Sequence, residues 1–104
     1  MRSGLSPILL LLAFPALAQP APDPSAGKVL AEQLCSSCHL VGPRQAGPVP
    51  DGVPSFMAVA ARPGVAAAGL EAVLMTPTHP QMPAPPLDAR QRRDVVAYIL
   101  SLAP

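Results

Sequence analysis

Tryptophan is absent from this chain, tyrosine occurs once and phenylalanine twice. Aromatic side chains bring the largest single areas to a core, so a 104-residue chain this poor in them has little large apolar mass of its own. Lysine is nearly absent as well: Lys28 stands alone. Seven basic residues are set against six acidic ones, with no basic run, which excludes a nucleic-acid footprint and a polybasic membrane patch. No lipidation signal is present. The longest unbroken apolar run, residues 8–14, is too short to cross a bilayer core. No segment alternates apolar and polar residues with a period of two, so no strand is expected and the fold class is all-α.

The apolar run has another reading. Arg2 is a short basic start, residues 8–14 form the apolar centre, and Ala16-Leu17-Ala18 is a small-x-small cleavage site. Pro7 and Pro15 flank the run. Residues 1–18 are therefore expected to be a signal peptide removed on export to the periplasm, with Gln19 as the mature start. That leaves 86 residues with equal numbers of basic and acidic side chains. A chain this small usually needs a staple. Residues 19–24, with Pro20, Pro22 and Pro24, read as an extended lead-in to a single domain over residues 25–104.

The staple is legible in Cys35-Ser36-Ser37-Cys38-His39, the C-x-x-C-H spacing of covalent haem attachment. Two thiols add across the two vinyl groups of one haem, and the histidine that follows ligates the iron. Rival readings are weaker. A thiol redox pair belongs at a strand-to-helix turn, and no strand is expected. A zinc site would need both His39 and His79, with adjacent Cys38 and His39 crowding one ion. A disulfide across so tight a loop stabilises little. An exported chain must consume or oxidise its thiols, and thioether formation consumes both.

Around this motif the periodicity predicts helices. Ser25 is the expected N-cap of a helix over residues 26–38. Residues 40–54 hold seven Gly and Pro residues and read as a loop. Short helices are expected over 56–61 and 69–75, then a proline-rich loop over 76–86. Asp88 with Gln91 three residues on is a capping box. Val95, Tyr98, Ile99 and Leu102 form the apolar stripe of a last helix, with Arg90, Arg92 and Arg93 turned to solvent.

On these residues the chain resembles the small monohaem, class I-type cytochromes c of the bacterial periplasm. The resemblance covers nearly all of the mature chain. Beyond C-x-x-C-H it rests on Asp94-Val95-Val96-Ala97-Tyr98-Ile99, on Met82-Pro83 ahead of the last helix, and on Gly27. In that family a glycine eight residues before the first attachment cysteine sits where the C-terminal helix crosses. The resemblance implies a class I cytochrome c fold, three to four helices around one covalent haem c, and electron transfer rather than enzymatic turnover.

It also implies a ligand set. His39 and Met82 are the expected axial ligands of the iron. Met82 lies in an irregular proline loop where packing gives a methionine no role, whereas Met57 and Met75 fall in short helices and read as core. His79 is the runner-up ligand. The proximal histidine needs an acceptor for its other ring N–H, which in the family is a proline carbonyl. Pro54 is the expected residue and Pro48 the alternative. Arg44, Arg62 and His79 are candidates for the haem propionates.

Two departures matter. Ala31 stands where relatives often carry an aromatic, leaving Leu30 and Leu34 to fill the helix crossing. The docking lysines of mitochondrial-type relatives are missing. The implied partners are periplasmic redox proteins, a donor and an acceptor, for a monomer or for the electron-transfer subunit of an exported dehydrogenase or oxidase. A gas-binding haem sensor is a third reading.

Overall fold

Asp88 starts the helix on which the fold is assembled. Its side chain accepts from the Gln91 N–H at 2.8 Å, and the Gln91 side chain accepts from the Asp88 N–H at 2.9 Å, so the capping box is complete. The computed structural model describes residues 2–15, 19–75, 79 and 87–104. Among the described residues four helices, α1 (Pro24–Leu34), α2 (Phe56–Ala60), α3 (Ala67–Met75) and α4 (Ala89–Ser101), make an all-α fold, with no strand.

Helix α4 packs against each of the other three. Val95, Tyr98 and Ile99 from the expected stripe are buried, and Leu102 packs half-buried beside them. Val96 is buried too, so α4 is covered over more of its circumference than the stripe alone predicts. Val95 and Val96 are nearly inaccessible, and burying a side chain of this size is worth about 1.5–3 kcal/mol.

The crossing of α1 and α4 is close because α1 presents small residues one turn apart. Gly27 is buried and Ala31 is fully buried. A Cβ placed on Gly27 would stand 1.9 Å from the Asp94 carbonyl oxygen and 2.9 Å from the Val95 nitrogen. Backbone meets backbone there, and only glycine leaves room. Leu30 and Leu34 pack against the same core, as expected where Ala31 replaces an aromatic. Asp94 also holds the entry to α1: its buried carboxylate accepts from the Asp23 N–H at 2.8 Å.

Several boundaries differ from expectation, each for a local reason. The N-cap of α1 is Asp23, not Ser25. The Asp23 carboxylate accepts from the Ser25 and Ala26 N–H groups, and Pro24 takes the first helical position, where a missing N–H costs nothing. The helix ends at Leu34 rather than at Cys38. Helix α3 begins two residues early, at Ala67. Arg90 is exposed, but Arg92 and Arg93 are half-buried. Arg92 donates to the Leu87 carbonyl at 2.6 Å and Arg93 donates to the Gln19 side chain, their long stems lying along the surface. Met75, expected in the core, is 65% exposed, and Met57 is half-buried. Residues 2–15 form no helix or strand, and Leu5, Ile8 and Phe14 are exposed. No helix among the described residues is long and apolar enough to cross a membrane.

The crossing makes a paired prediction. Gly27→Ala forces two backbones apart and is expected to cost about 3 kcal/mol or more. Gly69, inside α3, has nothing within 4 Å of a built Cβ, so Gly69→Ala should stabilise by about 0.5–1 kcal/mol. Denaturant midpoints of the two variants check both signs.

Candidate functional site

The end of α1 delivers the cysteines. The Cys35 N–H closes the helix on the Ala31 carbonyl at 2.9 Å. The Ser36 hydroxyl then donates back to the Glu32 carbonyl at 2.5 Å, a side-chain bond that competes with continued helix. The amides of Cys38 and His39 both donate to the Cys35 carbonyl, at 3.1 Å and 2.8 Å. The chain coils on itself through residues 35–38 instead of running on. Cys35, Cys38 and His39 consequently line one cavity of about 450 Å³.

His39 is oriented from behind. Its Nδ1 lies 2.7 Å from the Pro54 carbonyl oxygen. A carbonyl only accepts, so Nδ1 carries the proton and Nε2 is the nitrogen left for a metal. The Phe56 N–H donates to the Leu40 carbonyl at 2.9 Å, tying the loop's return to the motif and bringing Pro54 to the ring. The Phe56 ring tilts against His39 with centroids 5.2 Å apart. At the far side of the loop the Tyr98 hydroxyl donates to the Val41 carbonyl at 2.6 Å.

Leu34, Phe56, Val59, Leu70, Leu74 and Ile99 form apolar walls of the cavity, and Arg62 and His79 add polar groups. Arg44 lines a separate groove with Lys28 and Glu32, so Arg62 and His79 are the two propionate candidates that reach the cavity. Met57 and Met75 are not among its lining residues. Met82 lies outside the described residues.

The donor set suits haem attachment better than its rivals. Among the described residues no group of three or more His, Cys, Asp or Glu side chains gathers around a point that could hold a metal ion. What the cavity offers is two thiols and one backed imidazole in an apolar hollow, within the usual size range of cofactor sites. Burial pushes the Cys35 thiol up to about 11, and neighbouring Cys38 adds to the rise. The thiol keeps its proton at neutral pH, and addition across a vinyl group consumes S and H together.

Gln45 has a part in this site that sequence reasoning missed. Its side-chain oxygen accepts from the Val41 N–H at 2.8 Å. Its nitrogen donates to the carbonyls of Ser36 at 3.0 Å and His39 at 3.1 Å. One amide thus braces the peptide on both sides of Cys38. The only available signal was a lone amide side chain in a loop of Gly, Pro, Ala and Arg.

A comparison with protein families matches residues 24–103 to cytochrome c. A protein of Bradyrhizobium diazoefficiens described as "Cytochrome c-552" is 44% identical over 84 residues, covering 81% of this chain and 79% of the relative.

Gln45→Met keeps the side-chain length and removes all three bonds. It leaves the buried Val41 and the two carbonyls without that partner, at an expected cost of about 1–3 kcal/mol. The denaturant midpoint of the holoprotein should fall with an unchanged slope.

Proposed function

The chain belongs to the cytochrome c family, and from that premise we propose that it is a single-haem electron carrier of the periplasm, with His39 and Met82 as axial ligands of the iron. It transfers electrons through a covalently attached haem c and is not an enzyme. A bound haem c supplies a one-electron ferric–ferrous couple. The observation that carries the proposal is the convergence of Cys35, Cys38 and a backed His39 on one apolar cavity.

Each residue has a task. Cys35 and Cys38 anchor the macrocycle as thioethers. His39 ligates through Nε2, with its ring orientation and basicity set by the Pro54 carbonyl behind it. Met82 would supply a thioether sulfur as the second protein ligand of the iron, a donor that raises the potential relative to two imidazoles. The apolar walls act in the same direction, since a low-dielectric surround disfavours the extra positive charge of ferric iron. With His39 and Met82 both supplied by the chain, a haem held here would be left no open position for a further ligand, which suits electron transfer without ligand exchange. Arg62, at the cavity and exposed, suits a propionate.

Residues 1–18 serve as the cleaved signal, and the lead-in is one residue shorter than the sequence suggests, 19–23, because the first helix of the domain already starts at Pro24. The exposed apolar side chains of Leu5, Ile8 and Phe14 fit a segment that belongs to export rather than to the fold. The partners are periplasmic redox proteins. Val73, 47% exposed and part of the cavity lining, sets an apolar side chain at the rim beside the single cation of Arg62. Docking there depends on shape more than on electrostatic steering.

Met82→Ala should abolish the far-red sulfur-to-iron absorption band of the ferric protein and lower its potential. Met57→Leu and Met75→Leu should leave both in place, because neither side chain reaches the cavity. A band that survives in Met82→Ala and vanishes in either leucine variant would reassign the ligand.

A further inference from the structure

Within the segment 76–86 the structure describes His79, and its setting is unusual. His79 lines the same cavity as Cys35, Cys38 and His39. Its Nδ1 is buried and has no hydrogen-bond partner. Its ring centre lies 6.0 Å from that of His39, with the two planes 35° apart. A buried polar atom without a partner costs free energy, so a nitrogen held this way calls for a ligand.

The spacing identifies the ligand. An imidazole nitrogen bonds a metal at about 2 Å, and the ring centre lies about 1 Å behind that nitrogen, so two imidazoles sharing one ion hold their centres about 6 Å apart. That is the separation observed. A propionate, the other partner open to this nitrogen, carries its charge to the wet edge of a haem, whereas Nδ1 of His79 is closed off from water.

We propose that His79 is a reserve axial ligand of the haem iron, taking the sixth position whenever Met82 leaves it. The proposal rests on the reading of the site as a haem ligated by His39 and Met82. It deepens that reading by giving the protein a second six-coordinate state. In that state two imidazoles replace an imidazole and a thioether, so the potential is lower. The iron also stays closed to small ligands when the methionine is displaced. The exchange swaps one neutral donor for another and moves no electron.

The sequence makes the test clean. The chain has two histidines, so a second imidazole on the iron of a monomer identifies His79. Ferric Met82→Ala holoprotein, at concentrations where its spectrum does not depend on dilution, should lose the far-red band and remain mostly low-spin. Its electron paramagnetic resonance should be that of two nitrogen ligands. Met82→Ala with His79→Ala should turn high-spin with water on the iron. A high-spin iron in Met82→Ala alone, or a low-spin iron that persists in the double variant through Lys28 or the terminal amine, overturns the proposal.

A second measurement keeps Met82 in place. Titrating ferric wild-type and His79→Ala holoprotein with urea should release the far-red band in both. Wild type should pass into a low-spin form and His79→Ala into a high-spin one; identical spin states overturn the proposal. If the far-red band instead survives Met82→Ala, the ligand reading fails. The urea titration then decides on His79 independently.

Discussion

The close approach of α1 to α4 is the constraint from which the remaining geometry follows. Gly27 lets the Asp94 carbonyl come where a Cβ would stand, and the Asp94 carboxylate holds the Asp23 N–H one turn away. With α1 pinned to α4 at its start and through Ala31, its last turn has one place to end. Cys35 follows there, capped on Ala31. Farther along α4, Tyr98 reaches the Val41 carbonyl, so the same helix fixes both the entry to the attachment motif and the exit from it. A chain with so few aromatics depends on this arrangement, because its core side chains are mostly Val, Leu, Ile and Ala.

Between those two fixed points the motif is shaped by hydrogen bonds. Gln45 holds the peptide on both sides of Cys38, and Pro54 holds the back of the His39 ring. The bonds divide the work: the cysteines and the imidazole must face one cavity, and the imidazole must present Nε2 rather than Nδ1. The apolar walls from α1, α2, α3 and α4 complete the hollow. A haem attached there would add a large apolar body to a core that lacks one, so that the redox centre would also serve as structural support.

Much of this was legible in the residues. The C-x-x-C-H spacing, the Asp88 and Gln91 box and the stripe on α4 are local patterns with short-range causes, and the structure carries each of them. Gly27 was legible through its distance from Cys35. The exact ends of α1 were not: Asp23 and Ser25 are both good caps, and the choice falls to Asp23 because Pro24 suits the first helical position. The stop at Leu34 depends on Ser36 turning back to Glu32 and on Gln45, ten residues beyond Cys35, a tertiary contact that no periodicity announces. Met75 was misplaced because an apolar residue at the end of a short helix looks like core from sequence, while its side chain is open to solvent.

The central claim is that both thiols and His39 serve a single haem. The most direct measurement is the intact mass of the chain exported from a host able to attach haem, with thiol counting on the same sample. The account predicts a polypeptide beginning at Gln19, heavier by one haem, with no thiol free to react. A bare polypeptide mass with two reactive thiols, or with a disulfide joining Cys35 to Cys38, would contradict it.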